Sequence, residues 1–186
     1  MLNNQLKTDL HKQQLLPILN TTNLEGDIAR LKKYLNQNKS IEYIEITLRE
    51  KESFSIAVEL KKYFSDCKFG LGSILTKEDL IRGQDHNFNF YVSPGIIEEI
   101  LEMKNPFYIP GAETVSEFIH LSKKDYEIIK FFPANLNGED KKLQSVKNIL
   151  RNIKFIPTGG VNKDNIDKYL NLKNVLCVGT SNFEEF

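Results

Sequence analysis

Eight short apolar runs, each set off from the next by a longer amphipathic stretch, put the narrowest limit on what this chain can fold into. The runs are LLPIL (15–19), YIEITL (43–48), KFGLG (68–72), FNFYV (88–92), PFYIP (106–110), EIIKFF (127–132), IKFIP (153–157) and NVLCV (174–178). Segments 23–37, 51–65, 76–84, 95–103, 113–123, about 139–151 and 162–171 have helical spacing between them. Thr76 and Asn162 stand as N-caps with carboxylates in the turn that follows. Strands joined by helical crossovers lie parallel, and eight such units are what a (β/α)8 TIM barrel needs. An open doubly wound sheet is the alternative, but no GxGxxG follows the first strand. The 186 residues suit one barrel domain over 1–186, with 1–13 as an N-terminal helix or extension. Such barrels typically run to about 250 residues. Here the chain ends eight residues after the eighth run, so the eighth helix is expected to be shortened or missing.

Charge and composition narrow the partners. Twenty-five basic and 25 acidic residues cancel, which argues against a nucleic-acid or membrane-surface partner. The apolar runs are five or six residues long, too short to span a bilayer. The opening MLNNQLKTDLHKQQ lacks the apolar core of a signal peptide. Cys67 and Cys177 have no motif spacing, which fits core positions in a reduced cytoplasmic setting. His11, His86 and His120 fall in or near helices and loops, so no metal site is expected.

Strand parity raises the chemical question. In YIEITLR, Ile44, Ile46 and Leu48 share one face, and Tyr43, Glu45, Thr47 and Arg49 share the other. In EIIKFF, Ile129 and Phe131 oppose Ile128, Lys130 and Phe132. If the apolar faces pack on outer helices, Glu45, Arg49 and Lys130 point into the barrel. A buried Lys130–Glu45 ion pair with no chemical role accounts for the same pattern, since structural networks also bury charges. Two glycine loops add a second signal: IPTGG (156–160) and CVGTS (177–181) follow the seventh and eighth strands, where barrels of this kind often bind phosphate. Neither loop carries a basic residue placed for a phosphate.

Seven segments together resemble the 2-keto-3-deoxy-6-phosphogluconate and 2-keto-4-hydroxyglutarate aldolases: IEITLRE (44–50), GLGSIL (70–75), YVSPG (91–95), IPGAETVSE (109–117), KFFPAN (130–135), IPTGG (156–160) and VLCVGTS (175–181). The resemblance implies a homotrimeric (β/α)8 barrel acting as a class I, Schiff-base lyase without metal or cofactor. It makes Lys130 the imine-forming residue, Glu45 the proton-transfer residue and Arg49 the ligand of the keto acid's carboxylate. Ser73 and Pro94 fall on substrate-lining segments, and Thr158, Gly159, Gly160, Gly179 and Ser181 on the segments that hold a distal phosphate. The sequence departs from the family pattern at Asn20, where many members have a basic residue, at Asn135 for a common Glu, and at Asn182 for a frequent aromatic. Two other readings stay open: a phosphate-binding barrel isomerase or epimerase, and a non-catalytic aldolase-like barrel.

Overall fold

A computed structural model describes residues 3–186. The chain begins with helix α1 (Asn4–Gln13), then strand β1 (Leu15–Asn20), α2 (Leu24–Gln37), β2 (Tyr43–Thr47), α3 (Ser53–Tyr63), β3 (Lys68–Gly72), α4 (Lys77–Asp85) and β4 (Phe90–Val92). It continues with α5 (Glu98–Glu102), β5 (Tyr108–Ile109), β6 (Gly111–Ala112), α6 (Val115–Lys123), β7 (Ile128–Phe131), α7 (Glu139–Val146), β8 (Lys154–Pro157), α8 (Ile166–Leu170) and β9 (Val178–Thr180). Single 3-10 turns follow β7 at Ala134–Leu136 and β9 at Phe183–Glu185.

All strand pairs are parallel. One sheet runs β5-β4-β3-β2-β1-β9 and a second runs β6-β7-β8. Pro110 divides the expected fifth strand into β5 and β6, because proline has no N–H to give to a ladder. Its carbonyl still accepts from the Lys130 amide at 2.9 Å. At the other seam, single parallel bridges join Phe155 to Val175 and Thr158 to Gly179. The result is a curved parallel sheet with helices on its outer face, a TIM-like α/β fold.

Local chemistry explains the helix starts. Thr76 caps α4 in a reciprocal box with Asp79, as its sequence indicates. Asn162 does not cap a helix. Its side chain accepts from the Asp164 amide in a loop turn, and α8 begins only at Ile166. The eighth strand also differs from expectation: 174–177 makes a single bridge, and the ladder with β1 begins at Val178.

Alternate strand residues divide the interior into two cores. Ile44, Ile46, Phe69, Leu71, Ile129, Phe131 and Phe155 meet the outer helices. Leu16, Tyr43, Phe90, Ile128, Ile156 and Cys177 form the inner core together with Leu6 and Leu10 of α1. The N-terminal helix therefore closes one end of the sheet's inner face. Burying each of those two leucines contributes about 1.5–3 kcal/mol. Gln13 fixes the attachment: its amide donates to the carbonyls of Leu15 and Tyr43 at 2.7 and 2.9 Å, and its oxygen accepts from the amides of Glu42 and Tyr43. Asp9 accepts from the Tyr43 hydroxyl at 2.8 Å, which holds its carboxyl below the usual range.

Cys177 is fully buried in the inner core. Burial pushes its thiol pKa up, and the Glu45 carboxylate adds to the effect. Cys67 is half-buried, and neither cysteine is in a disulfide. A thiol reagent is expected to modify Cys67 alone in the native protein and both cysteines after denaturation. Rapid native labelling of Cys177 on mass mapping would contradict this packing.

Candidate active site

The inner-face positions of β2 and β7 bring an acid and an amine together from opposite sides of the interior. Glu45 sits between Ile18 of β1 and Gly70 of β3, while Lys130 sits between Gly111 of β6 and Ile156 of β8. The Lys130 Nζ donates to Glu45 Oε1 at 3.1 Å. Glu45 is 1% exposed and Lys130 7%. Nζ also lies 5.5 Å from the centre of the Phe132 ring, which offers the cation its π face. Desolvating two charges is costly, and close pairing offsets that cost only when the geometry is held. Gly72 leaves room for it: a Cβ there would lie 2.0 Å from Glu45 Oε1.

Above the pair opens a cleft of about 220 Å³ lined by Lys130, Arg49, Phe132, Ile18 and Asn20 of β1, and the loops after β8 and β9. Grooves of about 560 and 700 Å³ lie elsewhere on the surface, so size does not single out the site. Its distinction is the buried charge pair at its base. Arg49, two residues beyond β2, is exposed at the rim, and its Nε donates to Ser73 Oγ at 3.5 Å. Ser73 takes a left-handed backbone with φ 59°.

The glycine loop after β8 is shaped by its neighbours. Gly159 and Gly160 have φ of 98° and 71°, a region that favours glycine. The carbonyls of Thr158 and Gly159 accept from the amides of Ala134 and Asn135 at 2.8 and 3.3 Å. The parallel bridge of Thr158 with Gly179 turns the Gly159 N–H toward the carbonyl of Gly179. Gly179 lets β9 approach Thr158, since a Cβ there would lie 2.5 Å from Thr158 Oγ1.

Of the residues singled out from the sequence, Lys130, Arg49, Thr158, Gly159, Gly160 and Ser181 line one cleft. Glu45 lies at its base through Lys130, Gly179 supports Thr158, and Ser73 touches Arg49. Pro94 does not line the cleft; its backbone packs against Gly111, the neighbour of Lys130. The cleft also includes Thr180 of the second glycine loop, and Ile18 and Val161, which the sequence reading passed over. The alternation in LLPILN would have placed Ile18 and Asn20 on the inner face with Leu16. Asn20 Oδ1 accepts from the Thr47 hydroxyl at 2.8 Å, which fixes that side chain at the wall. No group of three His, Cys, Asp or Glu among the described residues is placed to hold a metal ion. Nor is any described helix long and apolar enough to cross a membrane.

The family model for KDPG and KHG aldolase matches residues 6–186. The chain belongs to that family. The KHG/KDPG aldolase of Escherichia coli strain K12 is 30% identical over 170 residues, which cover 90% of this chain and 79% of the relative. The 2-dehydro-3-deoxy-phosphogluconate aldolase of Dickeya dadantii is 31% identical over the same shares. Among solved structures, the Legionella pneumophila KDPG aldolase with pyruvate captured as a covalent carbinolamine superposes with a TM-score of 0.86. It is 31% identical, with 94% of this chain and 85% of that one covered. KDPG and KHG aldolases are lyases, and Glu45, Arg49 and Lys130 all fall within the matched region.

Proposed function

We propose that this chain is a class I aldolase that splits a 2-keto-3-deoxy-6-phosphosugar acid, or 2-keto-4-hydroxyglutarate, into pyruvate and an aldehyde. The aldehyde is glyceraldehyde 3-phosphate or glyoxylate, and the reaction runs through an imine on Lys130. The observation that carries the reading is the 3.1 Å Lys130–Glu45 contact at the base of a cleft with Arg49 at its rim. Pyruvate held as a carbinolamine in the Legionella relative supports it.

The chemistry follows from those groups. Arg49 holds the substrate carboxylate in its fork and directs C2 toward Lys130. The neutral amine adds to the C2 carbonyl, and Glu45 moves the protons that let water leave, which gives the iminium ion. Glu45 then takes the proton of the C4 hydroxyl. The C3–C4 bond breaks, its electron pair enters the iminium to form an enamine, and the aldehyde departs. Protonation at C3 and hydrolysis release pyruvate. The iminium is the electron sink, so the cycle uses no metal or cofactor. An isomerase or epimerase gives no role to the buried amine, and nothing in the cleft favours a non-catalytic barrel.

The proposal extends to the architecture. The two sheets are taken as one closed eight-stranded barrel in a single domain, with Pro110 at one seam and the Phe155–Val175 and Thr158–Gly179 bridges at the other. Of the N-terminal extension 1–13, Asn4–Gln13 is the helix α1, and residues 1 and 2 lie outside the described residues. The enzyme works as a cytoplasmic homotrimer whose partner is a small 2-keto acid. Exposed Leu75 and Leu136 supply apolar surface for assembly.

A pyruvate-release assay tests the activity. Arg49→Ala is expected to raise KM for the keto acid roughly tenfold or more, with a smaller change in kcat. An unchanged KM rejects the carboxylate role.

A further inference from the structure

The groove of about 560 Å³ lies at the opposite end of β8 from the cleft. Lys154 opens that strand, whereas Pro157 at its other end leads into the glycine loop. The groove runs between the turns that follow α7 and α8, and its walls carry Lys147, Arg151, Lys154 and Lys173. Among the described residues no Asp or Glu lines it, and none of these four cations is in an ion pair. The groove of about 700 Å³, by contrast, sets Lys32 and Lys39 beside Glu42 and Asp66.

Helix ends do not account for the cluster. A base in the last turn of a helix complements its negative end. Lys147 directly follows α7, but Arg151 stands five residues past that helix, Lys173 three past α8, and Lys154 on a strand. Like charges gathered without a counter-charge repel one another, and an entering anion relieves that cost. Arg151 Nε donates to the Asn148 carbonyl at 3.2 Å, which leaves the two terminal nitrogens of its fork for a ligand. Lys154 donates to the Lys173 carbonyl and so ties two sides of the groove together. Asn174 belongs to the floor and is 6% exposed. Its Nδ2 donates to the Leu143 carbonyl at 2.9 Å, but its Oδ1 has no donor among the described residues. The hydrogen bonding of the floor is therefore incomplete in the chain alone.

Each phosphate group brings about one to two negative charges at neutral pH. Four cations therefore match two or three phosphates in a row, and a groove of this size suits a small molecule. We propose that this groove binds a small molecule carrying a di- or triphosphate. The shared chemistry is the run of phosphates, whether it comes from a nucleoside triphosphate or from inorganic polyphosphate. A nucleoside also brings hydroxyl and amino groups, which would give Asn174 its donor. The site is separate from the Lys130 cleft and does not rest on the aldolase reading.

Isothermal titration at about 0.15 M salt, where diffuse attraction between exposed charges is largely screened, tests the site with magnesium-free ATP and with inorganic tripolyphosphate. At least one of the two is expected to saturate a single site per chain with half-saturation below about 1 mM, and the tighter one names the source. Arg151→Ala combined with Lys173→Ala is expected to weaken that binding roughly tenfold or more. Lys33→Ala combined with Lys51→Ala, which removes two exposed cations away from the groove, is expected to leave it unchanged. Melting curves check that both double variants are folded. If the groove variant is not, Lys147→Ala alone is expected to weaken binding roughly threefold or more. No saturable binding of either compound, or an equal effect of the groove and control substitutions, overturns the proposal.

Discussion

Lys130→Met is expected to lower aldol cleavage by about ten-thousandfold or more, because the variant has no amine at the base of the cleft to form the imine. Methionine keeps much of the apolar volume of the stem, so the loss is chemical before it is a packing defect. A stability change accompanies it. Glu45 is 1% exposed, and its carboxylate loses the Nζ that sits 3.1 Å away. An uncompensated buried charge costs about 3 kcal/mol, which for a chain of this size lowers Tm by roughly 6–12 °C. The double variant Lys130→Met with Glu45→Gln removes the charge as well as the amine. It is expected to recover most of the Tm and none of the turnover. Thermal melts beside a pyruvate-release assay read both. Substantial turnover in Lys130→Met rejects the covalent route, and equal melts for single and double variants reject an energetically coupled pair.

Gly72→Ala carries the second large effect. A methyl at this position would lie 2.0, 2.7 and 2.8 Å from Glu45 Oε1, Cδ and Cγ. The carboxylate must move, and with it the 3.1 Å contact to Lys130. Displacing a proton-transfer group is expected to reduce kcat about a hundredfold to ten-thousandfold, at a stability cost of about 1–3 kcal/mol from overpacking. Gly72 has no side chain to take part in the chemistry, so the variant tests whether the placement of Glu45 matters. If kcat stays within a few-fold of the parent while the fold is retained, Glu45 does not need the position assigned to it.

The strand framework was legible because period-two alternation survives burial. Tyr43–Thr47 and Ile128–Phe131 alternate between two cores of different composition, and both are buried throughout. The same alternation puts Glu45 and Lys130 on one interior from the sequence alone. The reading failed where single residues override the pattern. Pro110 breaks a ladder that hydropathy leaves continuous. Asn162 looks like a cap, but Asn165 Oδ1 accepts from its amide and turns the loop before α8 can begin. The role of α1 was hidden for another reason. Leu6 and Leu10 show only a helix with an apolar side, whereas their partners come from strands as distant as β8. Likewise, the glycines at 70 and 72 read as strand breakers, yet each makes room for an inward side chain, Phe90 and Glu45 respectively. Such pairings depend on register, which a single strand does not reveal.

The most direct measurement is borohydride reduction of the protein in the presence of pyruvate, followed by mass mapping of the modified peptide. The account predicts one stable pyruvate-derived adduct per chain, on Lys130, lost in Lys130→Met. An adduct on a different lysine, or none under conditions where the protein turns over, would contradict it.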